Sequence, residues 1–216
     1  MIDEQTEKKR SSFWRELPIL LGVAVLVAVL VRAFVLQTFY IPSPSMEHTL
    51  NVLDRVLVNK LVYDFREPRR GEIIVFEAPA AWQSGAEGED FIKRIIGVPG
   101  DHISYDPEAA DKKLTINGVK LDEPYVFTDE AGQQDDPADV KFDVTVPPDR
   151  LWVMGDHRSA SGDSLEHWQD SGGDVQEATI TEKSIVGRAF TVFWPVNRAT
   201  WLSVPDGFKA IPDPQS

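Results

Sequence analysis

One long apolar run near the N-terminus limits where the rest of the chain can fold. Between Pro18 and Leu36, 19 residues in all, every residue is apolar or glycine except Arg32. A helix of this length extends about 28 Å, close to the roughly 30 Å hydrocarbon core of a bilayer. The run also lacks the polar stripe that a helix packed on a soluble core would show. It therefore predicts a transmembrane anchor at residues 18–36.

The alternative is a cleavable secretory signal, because basic residues followed by an apolar stretch describe that as well. A signal would end in small residues at a cleavage site, whereas this run continues with Phe-Val-Leu-Gln-Thr-Phe-Tyr at residues 34–40, which favours a retained anchor. Four basic residues precede the run: Lys8, Lys9, Arg10 and Arg15. Beyond Arg32 the next basic residue is Arg55. By the positive-inside rule, segment 1–17 is expected in the cytoplasm and the remaining chain outside, on a plasma membrane.

Charge and cysteine content narrow what the exported part can do. The chain has 35 acidic against 22 basic side chains, a formal net charge of −13, and no cysteine. An acid excess of this size argues against nucleic-acid binding by phosphate neutralisation. Without cysteine there is no disulfide and no thiol nucleophile. The exported part is long enough for one domain or two small lobes held together by an apolar core.

The chain after the run is predicted to be mainly β. Short β-branched and aromatic segments bounded by Gly, Pro or Asp occur at Arg55–Tyr63, Glu72–Phe76, Phe91–Val98, Leu151–Met154 and Ser184–Trp194. Asn117-Gly118 predicts a type I′ hairpin turn. No segment after residue 50 keeps a helical period beyond two turns, and residues 78–89, 128–139 and 169–178 have loop composition. We expect an antiparallel sheet or barrel-like domain over residues 37–204, with a tail at 205–216.

Ser45 and Lys93 are the residues whose chemistry is most informative. Ser45 lies in Pro-Ser-Pro-Ser-Met just beyond the run, and a serine attacks an amide only if a base removes its proton. Lys93 lies in the strand-like segment Phe-Ile-Lys-Arg-Ile-Ile, where alternation places it on the face of Phe91 and Ile95. Burial on that face would lower its pKa and make it a workable general base. Either residue alone has a more ordinary interpretation, as a turn serine or an ion-paired strand lysine.

Together with a third segment they form an ordered set of motifs. Ser-Pro-Ser-Met at 43–46, Lys-Arg at 93–94 followed by Gly-Val-Pro-Gly-Asp at 97–101, and Met-Gly-Asp-His-Arg-Ser-Ala-Ser-Gly-Asp-Ser at 154–164 occur in this order. The chain thereby resembles type I signal peptidases, membrane-anchored Ser/Lys serine proteases that remove signal peptides from exported preproteins. Segments 70–76, 187–189 and 194–195 also match the family, so the likeness covers roughly residues 18–196.

The resemblance implies a role for each matching residue. Ser45 matches the nucleophile, Lys93 the general base, and Ser43 the hydroxyl that completes the oxyanion hole with the Ser45 amide. Ser161 matches the serine that hydrogen-bonds and orients the lysine, and Asp163 a supporting acid. Two further positions, Asp156 and Arg94, match a family ion pair. Residues that match the shallow pockets for small substrate side chains, usually alanine, are Phe39, Ile41, Met46, Leu50, Phe91 and Ile92.

The resemblance also sets expectations for architecture and partners. It implies an antiparallel β domain with a more variable second lobe, here at approximately residues 106–145. The partners would be exported preproteins and the lipid bilayer, with no nucleic acid, no metal and no organic cofactor, and the oligomeric state stays open. Activity is expected to rise towards alkaline pH, because the lysine must be neutral.

Three departures from the family pattern leave alternatives open. Leu165 stands where many members have an arginine that pairs with the acid matched by Asp163, His157 stands where many have asparagine, and segment 166–179 is longer than expected. A Ser-His-Asp hydrolase using His157 with Asp163 is one alternative, and a metal site from Asp163, Glu166 and His167 is another. The alternative from another class is a non-catalytic, membrane-anchored β-module that recruits a partner.

Overall fold

The computed structural model describes residues 16–27, 29, 35–83 and 88–214. Helix α1 comprises residues 16–27 and 29. The predicted anchor at 18–36 includes residues 28 and 30–34, which lie outside the described residues, as does most of segment 1–17. Within the described ranges, no helix has both the length and the apolarity needed to cross a bilayer. The chain divides into two compact units, residues 1–37 and 38–216.

The larger of two β-sheets carries most of the predicted strands. Its strand order is β1-β2-β11-β3-β4-β9-β10, and β12 also pairs with β11. Its strands are β1 (Leu36–Tyr40), β2 (Arg55–Asn59), β3 (Ile73–Glu77), β4 (Asp90–Gly97), β9 (Arg150–Met154), β10 (Ile180–Thr181), β11 (Ile185–Trp194) and β12 (Thr200–Trp201). Every pairing from β2 onwards is antiparallel, which confirms the mainly β, antiparallel prediction.

The smaller sheet has the order β7-β6-β5-β8, and all of its strands except β5, which ends just before residue 106, lie in the segment 106–145 predicted as a second lobe. Its strands are β5 (His102–Tyr105), β6 (Thr115–Ile116), β7 (Val119–Lys120) and β8 (Phe142–Thr145). The turn between β6 and β7 is the predicted one, because Asn117 and Gly118 have φ angles of 51° and 80°. A type I′ turn requires positive φ at both central residues. The local hairpin prediction is therefore confirmed.

The helices after residue 50 are short, and two local predictions were wrong. The α-helices are α2 (Val62–Phe65), α3 (Ser164–Asp170) and α4 (Val175–Ala178), and 3-10 turns occur at Ala80–Trp82, Arg158–Ala160, Glu182–Ser184, Val196–Arg198 and Asp206–Ala210. The strand predicted to reach Tyr63 ends at Asn59, whose side chain accepts the Leu61 amide at 2.9 Å. The loop predicted at 169–178 contains α4 because Asp174 caps its first amides.

Alternation along β3 separates two apolar layers on the faces of the large sheet. Ile73 and Val75 belong to a cluster with the buried residues of β2 and β11, whereas Ile74 and Phe76 belong to one with β9. Successive strand residues point to opposite faces, so β3 contributes to both layers. A third cluster joins the small sheet to β9 and α3. Strand β4 lies between β3 and β9, and its residues from Lys93 to Gly97 are buried.

Candidate active site

Ser45 and Lys93, 48 residues apart in sequence, are in direct contact. Lys93 Nζ donates a hydrogen bond of 2.7 Å to Ser45 Oγ. Both side chains are buried, with 4% and 5% of their surface exposed. The central position of β4 causes this burial, because Lys93 is opposite Ile74 of β3 while the next residue is opposite Met154 of β9. The nucleophile and base named from sequence are thus brought together away from bulk water.

Burial lowers the pKa of Lys93 from 10.5 to about 8, because desolvation disfavours the charged ammonium. The carboxylates of Asp163, Glu166 and Asp156 oppose this by attracting the positive charge. The net result is a lysine that is mostly charged at pH 7 but carries a neutral amine in about one molecule in eleven. Such an amine can accept the proton of the hydroxyl to which it is bound.

The turn that carries Ser45, residues 43–50, is anchored by its own apolar side chains. Met46 and Leu50 are fully buried, and the Leu50 amide donates to the Met46 carbonyl at 2.7 Å. Ser43 is exposed at the start of the turn, with its Oγ 3.3 Å from Ser45 Oγ. We call residues 43–50 the nucleophile turn. It presents two hydroxyls side by side at the end of the Lys93 side chain.

Asp163 organises the loop that follows β9. Its Oδ1 accepts the Leu165 amide at 3.0 Å, which makes it the N-cap of α3. Its Oδ2 accepts the Gly155 amide at 2.8 Å and the Ser161 hydroxyl at 2.7 Å. The acid is therefore satisfied by two amides and a hydroxyl, and it does not need the arginine that Leu165 replaces.

Ser161 does not make the hydrogen bond to Lys93 that the resemblance implies, because its hydroxyl is directed to Asp163. Both Ser161 and Lys93 are described residues, and no hydrogen bond joins them. Gly155 shows how close the loop comes to the nucleophile turn, because a Cβ there would overlap both the Ser161 Oγ and the Ser45 carbonyl oxygen. Only glycine at position 155 allows this approach.

Arg94 and Asp156 form the ion pair expected from sequence. Arg94 Nε and Nη2 donate to the two carboxylate oxygens of Asp156 at 2.8 and 2.5 Å, and Thr49 Oγ1 donates to the same carboxylate at 2.5 Å. Arg94 also donates to the Gly71 carbonyl at 2.8 Å, and its guanidinium lies over the Tyr125 ring. A buried pair with these additional bonds ties β4, the 155–163 loop and the nucleophile turn together.

A family model described as signal peptidase, peptidase S26, matches residues 14–194. The chain belongs to this family. As a family member it has signal peptidase I function, and it is a serine endopeptidase. Signal peptidases I act on exported preproteins that carry signal peptides, and in bacteria they are membrane-associated.

Two relatives similar in sequence agree with the family assignment. The peptidase is 37% identical over 206 residues to a probable signal peptidase I-2 of Synechocystis sp., covering 94% of this chain and 85% of the relative. It is 37% identical over 191 residues to a signal peptidase I of Leptolyngbya laminosa, covering 87% and 83%. The crystal structure of a signal peptidase I from Enterococcus faecalis matches at 26% identity with a TM-score of 0.40, covering 57% of this chain and 97% of that one.

The six residues assigned to substrate pockets fall into different places in the peptidase. Ile41, Met46 and Leu50 are core residues, each at most 1% exposed. Phe39 and Ile92 are partly buried and pack on the same cluster. Phe91 belongs instead to the cluster on the other face of the sheet, where its ring lies 5.7 Å from Lys93 Nζ. In this structure the partly exposed members are therefore Phe39, Ile92 and Phe91.

The two alternative sites suggested by histidines do not form. The His157 ring is stacked on Phe127 with 3.8 Å between centroids, and Asp163 contacts neither it nor Ser45 among the hydrogen bonds and ion pairs of the described residues. The His167 ring is stacked on Trp82 at 4.4 Å. In the part of the chain that the structure describes, no group of three or more His, Asp or Glu side chains is arranged to hold a metal ion.

Sequence reasoning missed the contacts of Arg158 at the site and the burial of Trp82 elsewhere in the fold. Arg158 donates its Nε to the Gly155 carbonyl at 3.0 Å and forms a buried ion pair of 2.5 Å with Glu123. Trp82, in a predicted loop, is 5% exposed and donates its Nε1 to the Glu177 carbonyl at 2.9 Å. Both partners are distant in sequence, so no local pattern could indicate them. The Arg in the 154–164 motif was the one available signal.

Proposed function

We propose that Ser45 is the nucleophile and Lys93 the general base of this signal peptidase. The observation that carries the proposal is the buried 2.7 Å hydrogen bond between Lys93 Nζ and Ser45 Oγ. A lysine with a pKa of about 8 supplies a neutral amine near physiological pH. No other titratable side chain of the described residues is hydrogen-bonded to the Ser45 hydroxyl.

The reaction proceeds through an acyl-enzyme. The neutral Lys93 amine takes the Ser45 proton as Oγ attacks the scissile carbonyl carbon, and the carbonyl oxygen becomes an oxyanion. The Ser45 amide and the Ser43 hydroxyl donate to that oxyanion. Collapse of the intermediate breaks the C–N bond, and the Lys93 ammonium returns its proton to the leaving amine. Water then attacks the ester with Lys93 again as base, which releases the signal peptide and restores Ser45.

Asp163, Ser161, Asp156 and Arg94 act as supporting residues in this proposal. Asp163 holds Ser161 beside the dyad and caps α3, while the Arg94–Asp156 pair fixes the loop against β4. Preproteins with small residues, of the Ala-x-Ala type, would bind along the partly exposed Phe39 and Ile92, with the buried Ile41, Met46 and Leu50 behind them. Phe91 would border the base.

We further propose a single membrane anchor within the apolar run predicted at 18–36. The anchor ends before β1 begins at Leu36, and the catalytic domain, residues 37–204, lies on the outer side. Large apolar side chains of α1 are exposed, for example Ile19 at 67%, Leu20 at 62% and Leu21 at 65%. A contiguous exposed apolar surface of this kind is typical of contact with lipid or protein. The basic residues before residue 18 support a cytoplasmic N-terminus.

Cleavage of a preprotein by the purified full-length chain in detergent tests the dyad. Ser45→Ala and Lys93→Ala are each expected to lower kcat by at least about 10⁴-fold, since members of a catalytic unit fail together. Ser203→Ala and Lys141→Ala, at exposed positions, are the matched controls and should cleave at the wild-type rate. Undiminished cleavage by either dyad variant would overturn the proposal.

A further inference from the structure

The backbone of Ser45, the proposed nucleophile, is hydrogen-bonded to the backbone of His157. The His157 amide donates to the Ser45 carbonyl at 3.1 Å. The His157 peptide is itself fixed, because Asp156 is bound by Arg94 on one side and Arg158 donates to the Gly155 carbonyl on the other. The nucleophile is therefore attached to a rigid loop through its own backbone.

The His157 imidazole makes a second attachment to the nucleophile turn. Its Nδ1 lies 3.3 Å from Oε2 of Glu47, two residues after Ser45, within ion-pair distance when the ring is protonated. The geometry does not make a hydrogen bond, and this buried nitrogen has no hydrogen-bond partner among the described residues. The other side of the contact is the Phe127 ring, 3.8 Å away and tilted by 16°. The imidazole therefore connects the nucleophile turn to Phe127.

The position of Phe127 is fixed because its backbone amide and carbonyl are both hydrogen-bonded. Its amide donates to the Asp156 carbonyl at 2.9 Å, and its carbonyl accepts the Asp135 amide at 2.9 Å. The preceding residue, Val126, has its carbonyl 3.1 Å from Nδ1 of His48 in the nucleophile turn. Segment 126–127 therefore contacts the nucleophile turn at His48 and the 155–158 loop at His157.

We propose that His157 is a positioning residue for the nucleophile, acting through the contact of its imidazole with Glu47 and Phe127. The inference rests on the proposed Ser45–Lys93 dyad. Ser45 carries both the attacking Oγ, in its side chain, and the proposed oxyanion donor, its backbone amide. A small rotation of the turn therefore misplaces both groups at once. Such misplacement slows the chemical step strongly but weakens substrate binding little.

The test measures kcat and KM separately for cleavage of a preprotein by the full-length peptidase and its variants. His157→Ala is expected to lower kcat about tenfold with KM within about twofold, because only the reacting geometry changes. His157→Asn keeps a planar polar side chain and should recover most of that loss. Glu47→Gln should lower kcat in the same direction, and adding it to His157→Ala should lower kcat no further, because both remove one contact.

His102→Ala is the matched control, because His102 also faces a carboxylate, Asp143 at 2.8 Å, but on the exposed small sheet. It should leave kcat and KM unchanged, and thermal unfolding of every variant shows whether the fold is kept. If His157→Ala does not fold, Glu47→Gln and Phe127→Leu decide in its place. Wild-type kcat in folded His157→Ala, or in both substitutes, overturns the inference, and so does a change in KM alone. Activity surviving Lys93→Ala would overturn the dyad itself.

Discussion

The acid side of the pH–rate profile gives the most direct quantitative test of the buried base. Lys93 must be neutral to act, and its pKa is lowered from 10.5 to about 8 by burial. At pH 7 about one molecule in eleven then carries the neutral amine, against about one in 3,000 for an unshifted lysine. The lowered pKa therefore increases the active fraction about 300-fold, which corresponds to a net cost of roughly 3 kcal/mol for the ammonium after the attraction of the nearby carboxylates has offset part of the desolvation.

The assay is kcat/KM for preprotein cleavage from pH 6 to 10.5, because this ratio reports ionisations of the free enzyme. We expect tenfold loss per pH unit well below a midpoint near 8, and a plateau above it. Glu166→Gln should move the midpoint to lower pH, since the carboxylate of Glu166 favours the charged lysine. Glu108→Gln, at an exposed position between β5 and β6, should not move it.

Three results would refute this reasoning. A midpoint near 10.5 would mean that burial does not lower the pKa of Lys93. A midpoint near 6 would contradict a pKa of about 8 for the base. An upward shift in Glu166→Gln would mean that the carboxylate acts on the profile through something other than attraction to the ammonium.

Two further predictions concern the close packing at the nucleophile and the membrane anchor. Gly155→Ala should abolish most cleavage, because its Cβ would overlap the Ser161 hydroxyl and the Ser45 carbonyl and push the nucleophile turn away; kcat measures this. Removal of residues 1–36 should release the protein from membranes during alkaline extraction, because the predicted anchor is lost; fractionation followed by immunoblotting measures this.

Each of these has its own control. Gly162→Ala lies in the same loop, but its Cβ would meet only the Glu166 carboxylate at 3.1 Å, a flexible group that can move, so cleavage should persist. Equal loss in both glycine variants would contradict the packing argument. For the anchor, protease added outside intact cells should digest the catalytic domain of the full-length chain. Complete protection of that domain would contradict the proposed orientation.

Local sequence rules worked where the deciding contacts are local. Asn117-Gly118 supplied the two positive φ angles of the β6–β7 turn, and β4 begins and ends within one residue of its prediction. These rules failed where the burial of a residue depends on a partner that is distant in sequence. Trp82 looked like part of a loop, yet it is buried because it stacks on His167 and bonds to the Glu177 carbonyl, 95 residues away.

For the site, the sequence by itself determined which residue types are available and in what order. The apolar run at 18–36 was recognisable from its composition alone. Ser45 and Lys93 were candidates by chemistry, and the ordered motifs that resemble signal peptidases gave them their roles and implied the Arg94–Asp156 pair. Only the tertiary structure decided that Lys93 Nζ lies 2.7 Å from Ser45 Oγ, and that Asp163 is satisfied by amides and a hydroxyl rather than by an arginine. Hydrogen-bond geometry and desolvation depend on which segments pack together, and packing across β3, β4, β9 and the nucleophile turn is a property of the whole fold.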